Sequence, residues 1–65
     1  MSFSEKIKFV RAELLISQKD LAEMLGVNYV TVSRWETGKL KPSFLTEKKL
    51  EKFCKDKKIY FVETK

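Results

Sequence analysis

The apolar residues near the start of the chain recur at the spacing of helix turns. Ile7, Val10 and Leu14 lie three and four residues apart, so in a helix they share one face. Ser2 and Glu5 have the spacing of a capping box, in which each side chain hydrogen-bonds the backbone N–H of the other. The pattern predicts a first helix that begins within the first four residues and buries one face.

A second helix of the same kind is predicted after a short gap. Ser17 and Asp20 again have capping-box spacing, with Asp in place of the usual Glu or Gln. The apolar face that follows consists of Leu21, Ala22 and Leu25. Gly26 is expected to end this helix, because glycine readily adopts the left-handed conformation found just past helix ends.

The next stretch, residues 27–39 ("VNYVTVSRWETGK"), fits two kinds of structure. Its β-branched and aromatic residues favour a strand, and apolar and polar residues alternate from Val30 to Ser33. A strand would, however, place Val32 and Trp35 on opposite faces and would have no partner nearby. A helix places both residues inward and costs only tenths of a kcal/mol per residue in propensity. We therefore predict a helix over residues 28–37.

This predicted third helix has two unlike faces. Asn28 can cap its start. The inward residues would be Val32, Trp35 and Leu40, and the outward residues Tyr29, Val30, Ser33 and Arg34. Glu, Lys and Ala have higher helix propensities and would stabilise a solvated helix face better. The outward face therefore suits something other than helix stability.

The remainder of the chain predicts one more helix and a short strand. Residues 43–57 place Leu50, Phe53 and Cys54 on one helix face. Residues 59–62 ("IYFV") are β-branched or aromatic, which favours a strand.

Size and charge narrow the class of protein. A chain of 65 residues forms one small domain with a thin core. Its 43% hydrophobic and 35% charged residues are typical of a globular protein rather than a disordered one. The net charge is +5, and residues 48–65 hold seven lysines against three acidic residues. This surplus favours polyanionic partners, although a lysine-rich helix also serves simply as a solvated face.

Several kinds of chemistry are not expected. One cysteine and no histidine leave no internal disulfide and no zinc site. The sequence has neither a nucleophile paired with a base nor a phosphate-binding glycine loop, so it does not predict an enzyme. No apolar run is long enough for a membrane span or a signal peptide. We expect a cytoplasmic protein without metal or cofactor.

Residues 18–39 ("QKDLAEMLGVNYVTVSRWETGK") fit the helix-turn-helix pattern position by position. Ala22 is small enough for the second helix to cross closely, and Gly26 makes the turn. The apolar positions between the helices hold Leu21, Leu25, Val27, Val32 and Trp35. With "SQ" at Ser17 and Gln18 and "WETGKLKPS" behind, the sequence resembles the phage repressor and Cro helix-turn-helix family over residues 7–54, with the motif itself at 18–38.

The resemblance implies a role for individual residues. Gln18 matches a position that contacts the DNA backbone and sometimes a base. The other base-contacting positions hold Tyr29, Val30 and Arg34. Positions at or near phosphates hold Asn28, Thr31, Ser33, Lys39 and Lys41. Arg11 and Glu36 match a pair that bridges the first and third helices, and the other structural positions hold Ala22, Gly26, Val32 and Trp35.

The chemistry of the outward side chains agrees with these roles without requiring them. The planar fork of Arg34 suits the two acceptors of guanine, but a surface arginine also binds phosphate alone. Val30 could meet only the thymine methyl group in a groove. Tyr29 could stack, reach a base or simply pack. Gln18 at a helix start is suited to a phosphate, or is a solvated first-turn residue.

The end of the chain departs from the family, whose domains commonly have a fifth helix. We predict instead a short C-terminal β-strand that pairs with the same strand of a second chain, as in Cro-like homodimers. The interface would consist of Ile59, Tyr60, Phe61 and Val62. The alternative is that residues 59–65 fold back as irregular structure, or fray. Phe9, Leu14 and Leu15 are unusually apolar and would be covered by the tail or by a partner.

We therefore expect an all-α fold: a single domain, residues 1–65, with four helices of the helix-turn-helix (lambda-repressor-like) type and the short strand. The expected function is sequence-specific DNA binding by a transcriptional regulator, a repressor that occupies a palindromic operator in double-stranded DNA. An antitoxin or accessory subunit with a protein partner is the alternative, and a scaffold without DNA binding is another.

Overall fold

The computed structural model describes residues 1–61, which form four helices. They are α1 (Phe3–Leu14), α2 (Gln18–Leu25), α3 (Tyr29–Thr37) and α4 (Phe44–Asp56). The predicted all-α, four-helix domain is confirmed, and the stretch that could have been a strand is the helix α3. α1 begins within the predicted first four residues, and the other three helices begin and end within a residue or two of their predicted bounds.

Each helix begins at a side chain that accepts a backbone N–H. These capping residues are Ser2, Ser17, Asn28 and Ser43. The two predicted capping boxes are both formed, Ser2 with Glu5 and Ser17 with Asp20. The starts of all four helices were therefore readable from local sequence.

All four helix ends fold back through one left-handed residue. The left-handed residues are Leu15, Gly26, Gly38 and Lys58. The N–H of the residue that follows each of them donates to a carbonyl five residues back, at 2.8–3.1 Å. This pattern is the Schellman motif. Glycine adopts the conformation without strain at two of the ends, whereas Leu15 and Lys58 adopt it despite carrying a Cβ.

The core lies where α1, α2 and α3 meet, and α4 closes it from the side. Its buried apolar residues are Ile7, Val10, Leu21, Ala22, Leu25, Val32, Trp35, Leu50, Cys54 and Ile59. Three of the residues that follow the left-handed positions, Ile16, Val27 and Ile59, pack in or against this core. The fourth, Lys39 at the end of α3, is exposed.

The predicted C-terminal strand is wrong for the residues that the structure describes. No strand forms within residues 1–61, because the chain turns back at Lys58 instead of extending. The N–H of Ile59 donates to the carbonyl of Cys54 at 2.8 Å, and the Ile59 side chain enters the core. Phe61 packs against Phe9, with ring centroids 5.6 Å apart. Ile59 and Phe61 are thus used within the chain, and Val62 lies outside the described residues.

The exposure of Leu40 differs from prediction, whereas Leu15 and Phe9 bear on the predicted cover by the tail or by a partner. Leu40, expected to face inward, is 40% exposed because α3 has ended at Thr37 and its helical periodicity no longer applies. Leu15 is 91% exposed, so no part of residues 1–61 covers it. Phe9 is half-buried against the tail, as one of the two predicted alternatives required.

Candidate nucleic-acid interface

The inner side of α3 is fixed by packing against α1 and α2. Val32 is fully buried, and Trp35 is nearly so. The ring of Phe3 on α1 meets Trp35 edge to face, with centroids 5.4 Å apart. This edge-to-face geometry is favourable for aromatic pairs and adds to the packing of the inner side of α3. The helix consequently presents one defined face to the outside.

That outer face holds the three residues predicted to contact bases on this helix. Tyr29 is 55% exposed, Val30 is 40% exposed, and Arg34 is exposed. Within residues 1–61, none of these three side chains makes a hydrogen bond or an ion pair. The face therefore offers a phenol, a methyl surface and a guanidinium that have no partner in the described chain.

The positions predicted to lie near phosphates surround this face. Lys39 and Lys41 are exposed just beyond the end of α3. Thr31 and Ser33 are half-buried on its flanks. Asn28 is exposed, but its Oδ1 is already used, since it accepts the N–H of Val30 at 2.8 Å. The side-chain amide nitrogen of Asn28 donates to nothing within residues 1–61, so it can donate to a phosphate oxygen.

Sequence reasoning missed Thr37, which is also exposed on this side of α3. It lies three residues after Arg34 and seven after Val30, a spacing that puts all three on one helix face. The helical period was therefore the signal that could have identified it. Its hydroxyl donates to the carbonyl of Arg34 at 3.2 Å.

Gln18 lies at the first position of α2 and is half-buried rather than fully solvated. Its Nε2 donates to Oε1 of Glu36 on α3 at 3.3 Å. Sequence reasoning missed this contact, because the two residues lie 18 positions apart and no local pattern pairs them. The structure thus joins a predicted DNA-contacting residue to a predicted structural one.

Arg11 and Glu36 form the expected bridge between α1 and α3. Nη2 of Arg11 donates to Oε1 of Glu36 at 2.8 Å, and Nε of Arg11 donates to Oε2. Nη1 of Arg11 also donates to the carbonyl of Ile16 at 3.3 Å. The fork of Arg11 therefore grips both carboxylate oxygens, a geometry that a point-like lysine charge cannot reproduce.

The burial of Glu36 is compensated by its hydrogen bonds. Glu36 is only 7% exposed, and the Arg11 hydrogen bonds hold the pKa of its carboxyl below the ordinary value. Burial acts in the opposite direction, and the Gln18 hydrogen bond adds to the lowering. The backbone carbonyl of Glu36 accepts the hydroxyl of Ser4, a link that sequence reasoning missed. We expect the carboxylate to stay ionised and fixed at neutral pH.

The turn between α2 and α3 explains the two small residues predicted to be structural. Ala22 is 2% exposed where the two helices pack. Gly26 has a φ of 71°, whereas a Cβ added there would meet its nearest atom, Nζ of Lys49, at an ordinary 3.7 Å. The left-handed backbone, not a lack of space, is therefore what favours glycine.

The helices of the described part of the chain are all too short or too polar to span a membrane.

Comparison with known proteins agrees with this arrangement of α2 and α3. A family model described as helix-turn-helix matches residues 7–60. The chain is also similar to the HTH-type transcriptional activator BcrR of Enterococcus faecalis, with 38% identity over 53 residues. That alignment covers 82% of this chain but 26% of the relative, so the chain spans about a quarter of the relative's length. No solved structure gives a significant match. The family match over most of the chain confirms the resemblance first seen in residues 18–39: the chain belongs to the helix-turn-helix family.

Proposed function

We propose that this chain is a sequence-specific DNA-binding regulator of transcription, with α3 inserted in the major groove. The observation that carries the proposal is the outer face of α3, where Tyr29, Val30 and Arg34 are exposed and unpartnered within residues 1–61. An α-helix fits the width of the major groove, where base edges are distinguishable. The similarity to a protein named as a transcriptional activator supports the same class of function.

The proposed contacts fall into two groups. The base-reading side chains are Gln18, Tyr29, Val30 and Arg34. The side chains near phosphates are Asn28, Thr31, Ser33, Lys39 and Lys41. The first group gives sequence preference, and the second fixes the position of the domain on the duplex without reading sequence.

The charges around α3 favour this use. Arg34, Lys39 and Lys41 provide exposed positive charge at the end of the helix. The one acidic residue of α3, Glu36, is buried and paired with Arg11, so it presents little repulsion to phosphates. Binding should therefore weaken as salt rises, because each neutralised phosphate releases counterions.

We further propose that the chain represses by occupying its operator. Occupancy requires nothing beyond the interface just described, because a bound domain competes with other proteins for the same DNA. A homodimer on a palindrome, with half-sites about one helical turn apart, completes the proposal. Of the predicted dimer residues that the structure describes, Tyr60 is the exposed one, at 72%.

The test of DNA reading is selection from random duplex DNA at roughly physiological salt, followed by sequencing. We expect an enriched palindrome, whose half-site spacing would give the dimer geometry. A single asymmetric site would retain the DNA-reading function and overturn the homodimer. Retention on DNA only at low salt, without enrichment of any sequence, would overturn sequence-specific binding.

The direction of regulation needs a separate measurement. A reporter promoter that carries the selected site should lose expression when the chain is produced. Raised expression from the same promoter would overturn repression and would agree with the name of the relative, a transcriptional activator. A variant site that the chain does not bind is the control, because expression from it should not respond.

Binding to another protein is the second candidate function. It is favoured by large apolar side chains that are exposed at the start of α4, where Phe44 is 70% exposed and Leu45 is 79% exposed. An antitoxin or accessory subunit would use such a surface. Co-purification of a protein encoded beside this chain, lost in a Phe44→Ser, Leu45→Ser variant, would support this role.

A further inference from the structure

The hydrogen bond between Gln18 and Glu36 fixes the orientation of the Gln18 amide, with Nε2 toward Glu36 and Oε1 away from it. We propose that Glu36, clamped by Arg11, is a positioning residue that orients Gln18 to read an adenine in the operator. The inference rests on the proposed DNA-reading function and names one base that this site selects.

The orientation follows from the chemistry of the partner. An ionised carboxylate only accepts hydrogen bonds, whereas an amide has a donating nitrogen and an accepting oxygen. The contact of Gln18 with Oε1 of Glu36 must therefore use Nε2. The opposite orientation would place two acceptor oxygens against each other, so the amide cannot rotate freely as a solvated glutamine does.

Glu36 is itself held in place. Both of its carboxylate oxygens accept from Arg11, which also donates to the carbonyl of Ile16. The Ser4 hydroxyl holds the backbone at the same residue. A functional side chain is well oriented when its supporting groups have no freedom of their own. Arg11 and Glu36 therefore form a rigid support. Gln18 is the residue that extends from this support to the surface.

The hydrogen-bonding groups of Gln18 that Glu36 does not use match one base. Its Oε1 accepts no hydrogen bond within residues 1–61, and Nε2 has one N–H that is not used by Glu36. One acceptor beside one donor complements adenine, which presents the N6 amino donor and the N7 acceptor in the major groove. Guanine presents two acceptors there, and neither pyrimidine presents a donor and an acceptor together.

The contact also uses the position of α2. Gln18 is the first residue of that helix, and its bond to Glu36 keeps the amide against α3, the helix proposed to enter the groove. The Arg11–Glu36 pair is neutral as a unit, so it can support Gln18 beside the duplex without repelling phosphates. An unsupported glutamine would have to lose its rotamer freedom on binding, which weakens discrimination.

The experiment measures base preference at each position of the selected site for three single variants and two double variants. In the Gln18→Ala variant, we expect preference for adenine to fall by about 5- to 150-fold at one position of each half-site and to stay unchanged elsewhere. Glu36→Gln removes the acceptor-only partner, and Arg11→Lys removes the two-point clamp while keeping the charge. Both should lower the same preference, and neither should lower it further when Gln18 is already alanine.

A purely structural role would give a different result. It would weaken binding to all duplexes by one factor and leave the ratio between adenine and the other bases intact, which would overturn the inference. If Glu36→Gln does not fold, Arg11→Lys supplies the same test. A change on the DNA side leaves the protein intact: 7-deazaadenine, which lacks N7, should weaken wild-type binding at that one position and leave the Gln18→Ala variant unaffected.

The outcomes separate the two proposals. A selection without any enriched sequence would overturn the proposed function itself. An enriched site whose base preferences all survive Gln18→Ala would leave the proposed function standing and overturn this inference alone.

Discussion

The two faces of α3 are built from similar residue types and serve different ends. The inner face holds Val32 and Trp35 in the core and Glu36 in an ion pair. The outer face holds Val30, Tyr29 and Arg34, also an aliphatic, an aromatic and a charged residue, but exposed and without partners in residues 1–61. Folding explains the inner set completely. We expect the outer set to contribute little to folding, and the proposed function assigns it to contacts with DNA.

The largest effect that tests this contrast is expected from Trp35→Ala. Truncating a buried tryptophan typically costs about 3–5 kcal/mol. A chain of this size has a total stability of roughly 3–10 kcal/mol. We therefore expect the variant to be largely unfolded or close to its midpoint at 25 °C, as measured by circular dichroism during urea denaturation.

Tyr29→Ala is the matched control, because it removes an aromatic ring from the outer face of the same helix. Its free energy of unfolding should change by less than about 0.5 kcal/mol. Equal losses from the two alanine variants would abolish the distinction between the faces.

The next largest effect concerns the ion pair. Arg11→Met removes one partner and leaves the buried Glu36 carboxylate without its two strongest hydrogen bonds. We expect a loss of about 2–3 kcal/mol, because an unmatched buried charge costs more than the pair contributes. The free energy of unfolding at pH 7 is the measurement. The double variant Arg11→Met, Glu36→Leu should be more stable than Arg11→Met alone, and the reverse order would contradict a role for the buried charge.

The same pair sets a pH dependence with a definite sign. The pKa of Glu36 is lowered in the folded state, chiefly by hydrogen bonds from Arg11, from about 4.3 in an unfolded chain. Its contribution to stability is therefore present above that pH and is lost as the pH falls through the folded pKa. Denaturation at a series of pH values should show this acid loss in the wild type and a flatter profile in Arg11→Met. Glu5, whose pKa is lowered by hydrogen bonds from Ser2, keeps its own small contribution in both.

On the outer face, Arg34→Ala should leave stability nearly unchanged and alter DNA reading. We expect discrimination at one base pair to fall by about 1–3 kcal/mol, since a bidentate arginine–guanine contact supplies that much. Competition binding against single-base variants of the selected site is the measurement. Lys41→Ala is the comparison, because losing a phosphate contact should weaken binding to all sequences alike. If Arg34→Ala lowers the affinity for all DNA sequences by the same factor, Arg34 contacts only the DNA backbone.

The smallest effect tests whether exposure alone identifies a DNA contact. Leu15 is even more exposed than Tyr29, and it is held in the left-handed conformation with a φ of 55°. Leu15→Gly should stabilise the domain by about 0.5–1 kcal/mol, because relief of the left-handed strain exceeds the added entropy of the unfolded chain. Operator affinity should not change. Lower affinity in this variant would extend the DNA-binding surface to the end of α1.

The helices could be predicted because their signals are local. Ser17, Asp20 and Gly26 fix the two ends of α2 through hydrogen bonds that span three to five residues. Periodicity placed Val32 and Trp35 inward for the same reason. The turn that follows α4 could not be predicted in this way, because Lys58 adopts the left-handed conformation that sequence patterns assign to glycine. Ile59 then turns into the core, although its residue type favours a strand.

In the candidate site, too, local features could be predicted and contacts between distant residues could not. The outward position of Arg34 follows from counting around one helix. The contact of Gln18 with Glu36 joins residues 18 positions apart, and the Ser4 contact joins residues 32 apart. Such pairs depend on how three helices pack together, and nothing in the local sequence marks them. The pairing of Arg11 with Glu36 was predicted from the resemblance to the phage repressor and Cro family, and the structure shows both of its hydrogen bonds.

The shortness of α3 has a consequence for the lifetime of the protein. Nine residues are too few for a stable helix in isolation, so α3 exists only while it is packed in the folded domain. A chain that loses this packing loses the outer face of α3 at the same moment and becomes open to proteolysis. Operator DNA binds only the folded form in the proposal made above, so it would shift the balance toward that form. Bound copies would then outlast free copies, and the supply of operator would govern how long the regulator survives as well as where it sits.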